Sequence, residues 1–446
     1  MRNNNLYTRL KEYESKGYSS FHTPGHKCSG FLPQDLIKLD LTELPDTDEL
    51  FEAHGIIRET EKMFSQIYGT ADTFISAGGC TLAIQAMMRT ALERGGKLLC
   101  SRNAHRSAVN AMALLDIDPV WIYPKGERSY TGRIEPDDVR SAFEKESDIR
   151  SVYITSPSYY GEMSDIKQIA DICHENNAIL LVDNAHGSHL AFMSENKHPI
   201  TLGADMTACS LHKTLPVMTG GALLNVRTKE LAENGRSYMS LFASTSPSYV
   251  VMSSMALCAD YILNGNGISE YRDCEIKVKK LRKYASERGI ISPRGECDPL
   301  RLTLNTSRAG LCGEEEQQVF FHSHGIECEF CDGENAVLII TPFNTDTDLE
   351  RVKKAIDDLP AGKDDSEKDI IKEIYHPVSV MSVRRAMLSK RKKVKAVDAL
   401  GMISADTSCP CPPGVPVIMP GERIDEAQIS QLGSQNIFVV NNGINE

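Results

Sequence analysis

Two side chains set the chemistry open to this chain: an amine and a carboxylate, each closing an apolar run. Lys213 ends Ala208-Cys209-Ser210-Leu211-His212-Lys213 and is followed by Thr214-Leu215-Pro216. Upstream, Asp183 ends Ile179-Leu180-Leu181-Val182-Asp183 and leads into Asn184-Ala185-His186. A primary amine can form a Schiff base with an aldehyde, and a carboxylate can keep a pyridine nitrogen protonated. Together they are what pyridoxal 5'-phosphate requires of a protein: covalent capture at one end of the ring and electronic support at the other. A lysine in a turn is ordinarily a solvated surface group. The aspartate, the Ser-x-His lead and a glycine turn upstream outweigh that ordinary reading.

The glycine turn is Ser76-Ala77-Gly78-Gly79-Cys80-Thr81, between a strand pattern and a helical one. Glycines let backbone approach an anion, and a helix N-terminus offers free amides with partial positive charge. Gly79, Cys80 and Thr81 are therefore phosphate candidates, although the turn alone reads equally as a plain strand-to-helix connection. His105, in Ser101-Arg102-Asn103-Ala104-His105, follows another strand pattern and can stack on a flat ring; a solvent-facing histidine is the plainer alternative. Ala185 is small enough to lie against the opposite ring face, and His186 joins it as a cofactor-binding candidate. Ser210 and His212 stand close enough to Lys213 to touch phosphate or a substrate carboxylate. His322, His324, Cys328 and Cys331 suggest zinc, but Ile326–Cys331 alternates like a strand, which sends residues three apart to opposite faces. No metal is expected there. Arg384-Arg385 and Lys390–Lys393 read as a solvated helix face.

These residues need strand ends to hold them. From about 50 to 255, strand patterns at Phe74–Ala77, Lys97–Cys100, Val120–Tyr123, Val152–Thr155 and Ile179–Asp183 alternate with helical ones at Leu82–Leu92 and Ile166–Asn176. Such alternation predicts an α/β fold, a mostly parallel sheet with helices on both faces. Ligands then sit at the carboxyl ends of the strands, where Asp183 and Gly78-Gly79 fall. The expected organisation is an arm (1–45), a cofactor-binding large domain (46–255), a small α+β domain (256–360), a charged linker (361–369) and a last domain (370–446).

A length of 446 residues suits about three domains. With 41% hydrophobic and 25% charged residues, the composition is that of an ordinary globular protein. No apolar run approaches the roughly 18 residues of a membrane span, and Met1–Asn5 has no apolar signal core, so a cytoplasmic protein with no membrane partner is expected. Thirteen scattered cysteines suggest reduced thiols. A net charge of −12 argues against nucleic acid and is compatible with a small cationic substrate.

Several further motifs, in order, resemble the ornithine/lysine/arginine decarboxylase family. They are His22-Thr23-Pro24-Gly25-His26-Lys27, the acidic Thr42–Leu50 segment, Ser210–Leu215, Thr245-Ser246-Pro247-Ser248-Tyr249, and Pro412–Pro416 with Pro420-Gly421-Glu422. The resemblance covers nearly the whole chain. It implies a fold type I pyridoxal phosphate enzyme, aspartate aminotransferase-like in its large domain, with a small α+β domain and a C-terminal decarboxylase-type domain. It implies that Lys213 carries the cofactor, Asp183 meets the pyridine nitrogen and His105 stacks on the ring. Gly79, Cys80, Thr81 and Ser210 would hold the phosphate, with Thr245 or Ser246 reaching in from a second subunit of a homodimer or larger homo-oligomer. The chain looks like the short form, without the receiver-like domain of longer members. It departs from the family at Thr219-Gly220-Gly221 and at Cys411, which bears on the substrate pocket.

The expected activity is decarboxylation of a basic amino acid, within polyamine-related metabolism. Arginine to agmatine comes first, with lysine to cadaverine or ornithine to putrescine next. Lys213 or a nearby histidine such as His212 would reprotonate Cα. Glu422, then Glu43, Asp46, Asp48 and Glu49, are candidates to meet the substrate's cationic side chain. A cysteine desulfurase or an aminotransferase shares the aspartate and the His-Lys pair. A non-catalytic regulatory relative is the third alternative.

Overall fold

The computed structural model describes residues 5–15, 38–125, 132–293, 295–362, 376–408 and 416–441. The motif at 22–27, most of the linker, and Pro410–Gly414 lie outside the described residues. The chain forms two compact units, each made of separate stretches: 1–90 with 181–273, and 91–180 with 274–446.

Seven strands alternate with helices over the first half: β1 (Asp72–Ser76), β2 (Lys97–Ser101), β3 (Pro119–Ile122), β4 (Ile149–Thr155), β5 (Ile179–Asp183), β6 (Met206–Ser210) and β7 (Ala222–Val226). In the first unit β1 pairs antiparallel with β7, from Asp72↔Val226 to Ser76↔Ala222. β7 pairs antiparallel with β6, from Met206↔Val226 to Ser210↔Ala222, and β6 pairs parallel with β5. Two reversals cancel, so β1, β5 and β6 run the same way and their carboxyl ends, Ser76, Asp183 and Ser210, share one edge. The α/β reading holds, with a mixed sheet. The reversed strand β7 escapes a sequence reading because Ala222–Val226 is buried throughout, and a continuous apolar run carries no direction. The short return after Leu215 suits an antiparallel neighbour, since a parallel one needs a longer crossover.

All five residues of β5 are buried. Fully burying Leu180, Leu181 and Val182 contributes about 1.5–3 kcal/mol each, which anchors the strand whose last residue is the buried carboxylate. The helix Gly79–Arg94 follows β1 directly. The helix Tyr249–Leu263 buries eight side chains, from Tyr249 to Ile262, and runs through residue 255. The expected boundary between large and small domains falls inside this helix.

In the second unit β2 pairs parallel with both β3 and β4. A four-stranded sheet has the order β10-β11-β9-β8, from β8 (Ile291–Ser292), β9 (Arg301–Asn305), β10 (Phe330–Cys331) and β11 (Asn335–Ile339), with the helix Asp346–Asp358 after it. A two-stranded ribbon pairs β12 (Arg391–Lys395) with β13 (Asn436–Val440). Two expectations are corrected here. The basic run is only partly helical: Arg384 and Arg385 lie on the helix Val383–Leu388, whereas Arg391–Lys393 belong to exposed β12. Only Phe330–Cys331 of the stretch from Ile326 is strand, so alternation does not separate the cysteines. The Cys328 thiol hydrogen-bonds with that of Cys331, which is held below the usual thiol range by the contact. Among the described residues no group of three or more His, Cys, Asp or Glu side chains is arranged to hold a metal, and no helix is long and apolar enough to cross a membrane.

Candidate active site

Lys213 stands on a single helical turn, Leu211–Thr214, that begins where β6 ends. Two bonds fix that turn from outside: Leu211 N–H donates to the Gly221 carbonyl at 3.0 Å, and the buried Tyr271 hydroxyl donates to the Thr214 carbonyl at 2.6 Å. Asp183 ends the neighbouring strand with only 2% of its surface exposed. Its carboxylate accepts the Ala185 amide at 3.1 Å, so the turn beyond the strand folds over the acid. Asn184 is buried, His186 is 6% exposed and Ala185 is half-buried. The Ser188 hydroxyl donates to the Ser210 carbonyl at 2.9 Å, joining the turn that carries Asp183 to the strand that presents Lys213. His186 Nε2 lies 2.9 Å from Lys213 Nζ.

The glycine turn occupies the same sheet edge. Gly79 opens its helix with φ of +72° and donates its amide to the Gly220 carbonyl at 2.8 Å. A Cβ there would meet nothing within 4 Å, so the backbone conformation, not crowding, calls for glycine. The amides of Cys80 and Thr81 lie in the first helical turn, where no intrahelical acceptor exists. Thr81 is exposed and Cys80 buried. Burial pushes the Cys80 thiol well above its usual range. The Asp183 and Cys209 charges add to the effect, while the Lys213 charge and a hydrogen bond with Ser210 oppose it. Cys80 therefore sits among Asp183, Ser210 and Lys213 as a neutral thiol.

Beneath this edge lies a polar cluster that sequence reasoning missed. His198 is fully buried, with Nε2 3.4 Å from Cys209 Sγ and its ring 4.7 Å from that of Tyr68. Cys209 also donates to Asn184 Oδ1 and accepts from Asn225 Nδ2. Burial lowers His198 to about 3, so it is neutral, and raises Cys209 to about 12. The sequence signal was the alternation of Thr207 and Cys209 with Met206 and Ala208 along β6.

The remaining candidates fall in several places. His212 is half-buried with Nδ1 3.0 Å from the Gly221 carbonyl; a carbonyl only accepts, so Nδ1 carries the proton. Thr245 and Ser246 are exposed. Close by in sequence, the buried Tyr249 donates its hydroxyl to the Asp48 carbonyl at 2.6 Å, bringing two expected motifs together. Asp48 is structural: its carboxylate accepts the amides of Glu49, His54, Gly55 and Ile57. Glu43, Asp46, Asp48, Glu49, Glu52 and Glu59 line a cavity of about 760 Å³ in the first unit. One carboxylate oxygen each of Glu43 and Glu49 is buried there with no hydrogen-bond partner among the described residues.

Two candidates belong to the second unit. His105 is exposed and caps the helix Arg106–Leu115, its Nδ1 accepting the Ser107 amide at 3.2 Å. Glu422, the leading candidate contact for a cationic substrate, is 2% exposed and its charge is already paired. Both its oxygens accept from Arg102 Nη2, at 3.0 and 2.9 Å, and Oε2 also accepts from the Met419 amide and Gln428 Nε2.

Comparisons with known proteins identify the family. Residues 4–295 match the Orn/Lys/Arg decarboxylase major domain, and residues 369–434 match the C-terminal domain of the same family. The chain belongs to the Orn/Lys/Arg decarboxylase family. It is 29% identical to the Bacillus subtilis protein YaaO, over 96% of this chain and 94% of that one. It is 27% identical to the arginine decarboxylase of the same organism, over 96% and 92%. The Francisella novicida lysine decarboxylase LdcF superposes with a TM-score of 0.82 at 16% identity, covering 98% of this chain and 82% of that one; this likeness speaks for the fold alone, that of fold type I pyridoxal phosphate enzymes.

The decarboxylase's own residues fit that cofactor. A buried carboxylate, a lysine amine and the open first turn of a long helix share one sheet edge, as a ring held at nitrogen, aldehyde and phosphate requires.

Proposed function

We propose that this decarboxylase acts on a basic amino acid, with arginine to agmatine as the first choice and lysine or ornithine next. The carrying observation is the common edge on which β5 presents buried Asp183 and β6 presents Lys213. Support for arginine comes from the relatives: those named arginine decarboxylase align at 27–28% identity over more than 90% of both chains. The constitutive lysine decarboxylase of Escherichia coli aligns at 20% over 74% of its length.

When bound, pyridoxal phosphate supplies the electron sink that takes up the charge left by departing carbon dioxide. Around it, Lys213 would provide the amine that captures the aldehyde. Asp183 would meet the ring nitrogen, and its burial would strengthen that contact. Cys80, Thr81 and Ser210, with Gly79 shaping the turn, would take the phosphate. Ala185 would pack against the ring, His105 is the candidate to stack on it, and Thr245 or Ser246 would serve the neighbouring subunit of a homodimer. With Glu422 paired to Arg102, the substrate's cation falls to the acidic cavity at Glu43, Asp46 and Glu49. The reading includes a cytoplasmic location, a polyamine-related role and a C-terminal domain from about 370.

Purified protein given pyridoxal phosphate and arginine, lysine or ornithine is expected to release carbon dioxide and the matching amine, fastest from arginine. Lys213→Ala abolishes both turnover and the cofactor's bound absorbance. Carbon dioxide release at the parent rate from that variant rejects the assignment.

A further inference from the structure

We propose that His186 is the proton partner of Lys213, returning a proton to the lysine amine each time that amine gives one to the substrate's Cα. The inference rests on the decarboxylase reading and assigns the proton supply within it. The two nitrogens stand 2.9 Å apart, a hydrogen-bond distance at which both cannot carry a full proton complement without strong repulsion. One proton is therefore shared between amine and imidazole. His186 is 6% exposed, so its ring is held against the amine and is the proton source at hand.

His212, adjacent in sequence, is the obvious rival. Its Nδ1–H is spent on the Gly221 carbonyl at 3.0 Å, which turns the ring toward backbone on its own strand-to-strand return. His186 has the opposite placement. It lies three residues beyond Asp183, on a turn fixed by Ser188 Oγ on the Ser210 carbonyl and by Tyr68 OH on the Ser188 carbonyl. The imidazole and the amine are thus carried by adjacent strands and tied across them, which holds their spacing. Among the described residues, titratable groups on the same sheet edge include Asp183 on β5, Cys80 at the start of the Gly79–Arg94 helix and His212. Burial keeps Cys80 neutral.

The balance is simple. The bond from Cα to the carboxylate breaks, neutral carbon dioxide leaves, and the bonding pair stays at Cα. One proton from Lys213 Nζ forms the new Cα–H bond. His186 Nε2–H then reprotonates the lysine, and solvent restores the imidazole between turnovers, so each cycle consumes one proton.

Two measurements test this, one of them without turnover. In cofactor-free protein with labelled histidine, the NMR titration of the His186 ring is expected to move upward by at least about one pH unit on Lys213→Ala, because a like charge is removed; an unchanged midpoint overturns the pairing. In the loaded enzyme, His186→Gln is expected to lower kcat about 100-fold, the scale of general acid catalysis, while KM and the cofactor absorbance hold. Added imidazole restores part of kcat to His186→Ala, a rescue that lost packing would not show. A His186→Gln kcat within about threefold of the parent value, or an alanine variant that imidazole leaves unchanged, overturns the role. If the parent protein decarboxylates none of the basic amino acids, the proposed function fails, and the titration still judges the Lys213–His186 pair separately.

Discussion

Asp183 shows what one residue contributes when burial and position coincide. A carboxylate with 2% exposure keeps its charge in a low-dielectric setting only with partners to hold it, and here it accepts the Ala185 amide and stands near Lys213. Removing the charge while keeping the shape isolates the electrostatic part. Asp183→Asn is expected to cut kcat by at least about 100-fold, the loss typical of one preorganised contact to the reacting centre, and to shift the cofactor's absorbance. Parent-level turnover in that variant would remove Asp183 from the chemistry. The positions of Asp183 and Lys213 were legible in the sequence because one ends an apolar run that is a real strand and the other stands one helical turn past another. His186 stood in the same run, yet its contact with the amine depends on the turn that Ser188 and Tyr68 fasten, which no spacing records. The pairing of Glu422 was hidden for a related reason: its partner Arg102 lies 320 positions away.

At the scale of elements, that pair is a clamp. Arg102 directly follows β2, and its guanidinium donates to the carbonyls of Pro416 and Val417 as well as to Glu422. It thereby ties the end of a sheet strand to a segment near the C-terminus. Breaking a buried pair by neutralising one partner strands the other charge, at a cost of roughly 3–5 kcal/mol. Glu422→Gln is expected to lower the urea midpoint of unfolding by that equivalent while leaving KM for the basic amino acid nearly unchanged. A raised KM with an unchanged midpoint would return Glu422 to the substrate. Strand and helix positions followed closely from periodicity: the helix Ile166–Glu175 appears where its apolar spacing put it. Strand direction did not, because the fully buried run of β7 looks the same whichever way it pairs with β1 and β6. The Cys328–Cys331 contact was hidden because only two residues of that stretch adopt strand geometry.

At the scale of the whole molecule, the order of segments along the chain and the order in space diverge. The first compact unit takes residues 1–90 and then 181–273, so no contiguous cut releases it. A fragment of residues 46–255, the large domain that sequence patterning suggests, stops midway through the helix Tyr249–Leu263. It discards the buried Ala256, Cys258, Ala259 and Ile262, the helix Leu6–Ser15 that packs against that same helix, and Tyr271, whose hydroxyl holds the Thr214 carbonyl beside Lys213. A folded domain is stable by only about 5–15 kcal/mol. Losing Ile262 alone removes about 1.5–3 kcal/mol of burial, and the severed helix also loses its terminal hydrogen bonds. The fragment is therefore expected to aggregate or to unfold in urea without a cooperative transition, and to take up no pyridoxal phosphate, while the full chain unfolds cooperatively under the same conditions. A soluble fragment with a sharp circular-dichroism transition and a cofactor spectrum would show that the Lys213 turn stands without Tyr271 beneath it.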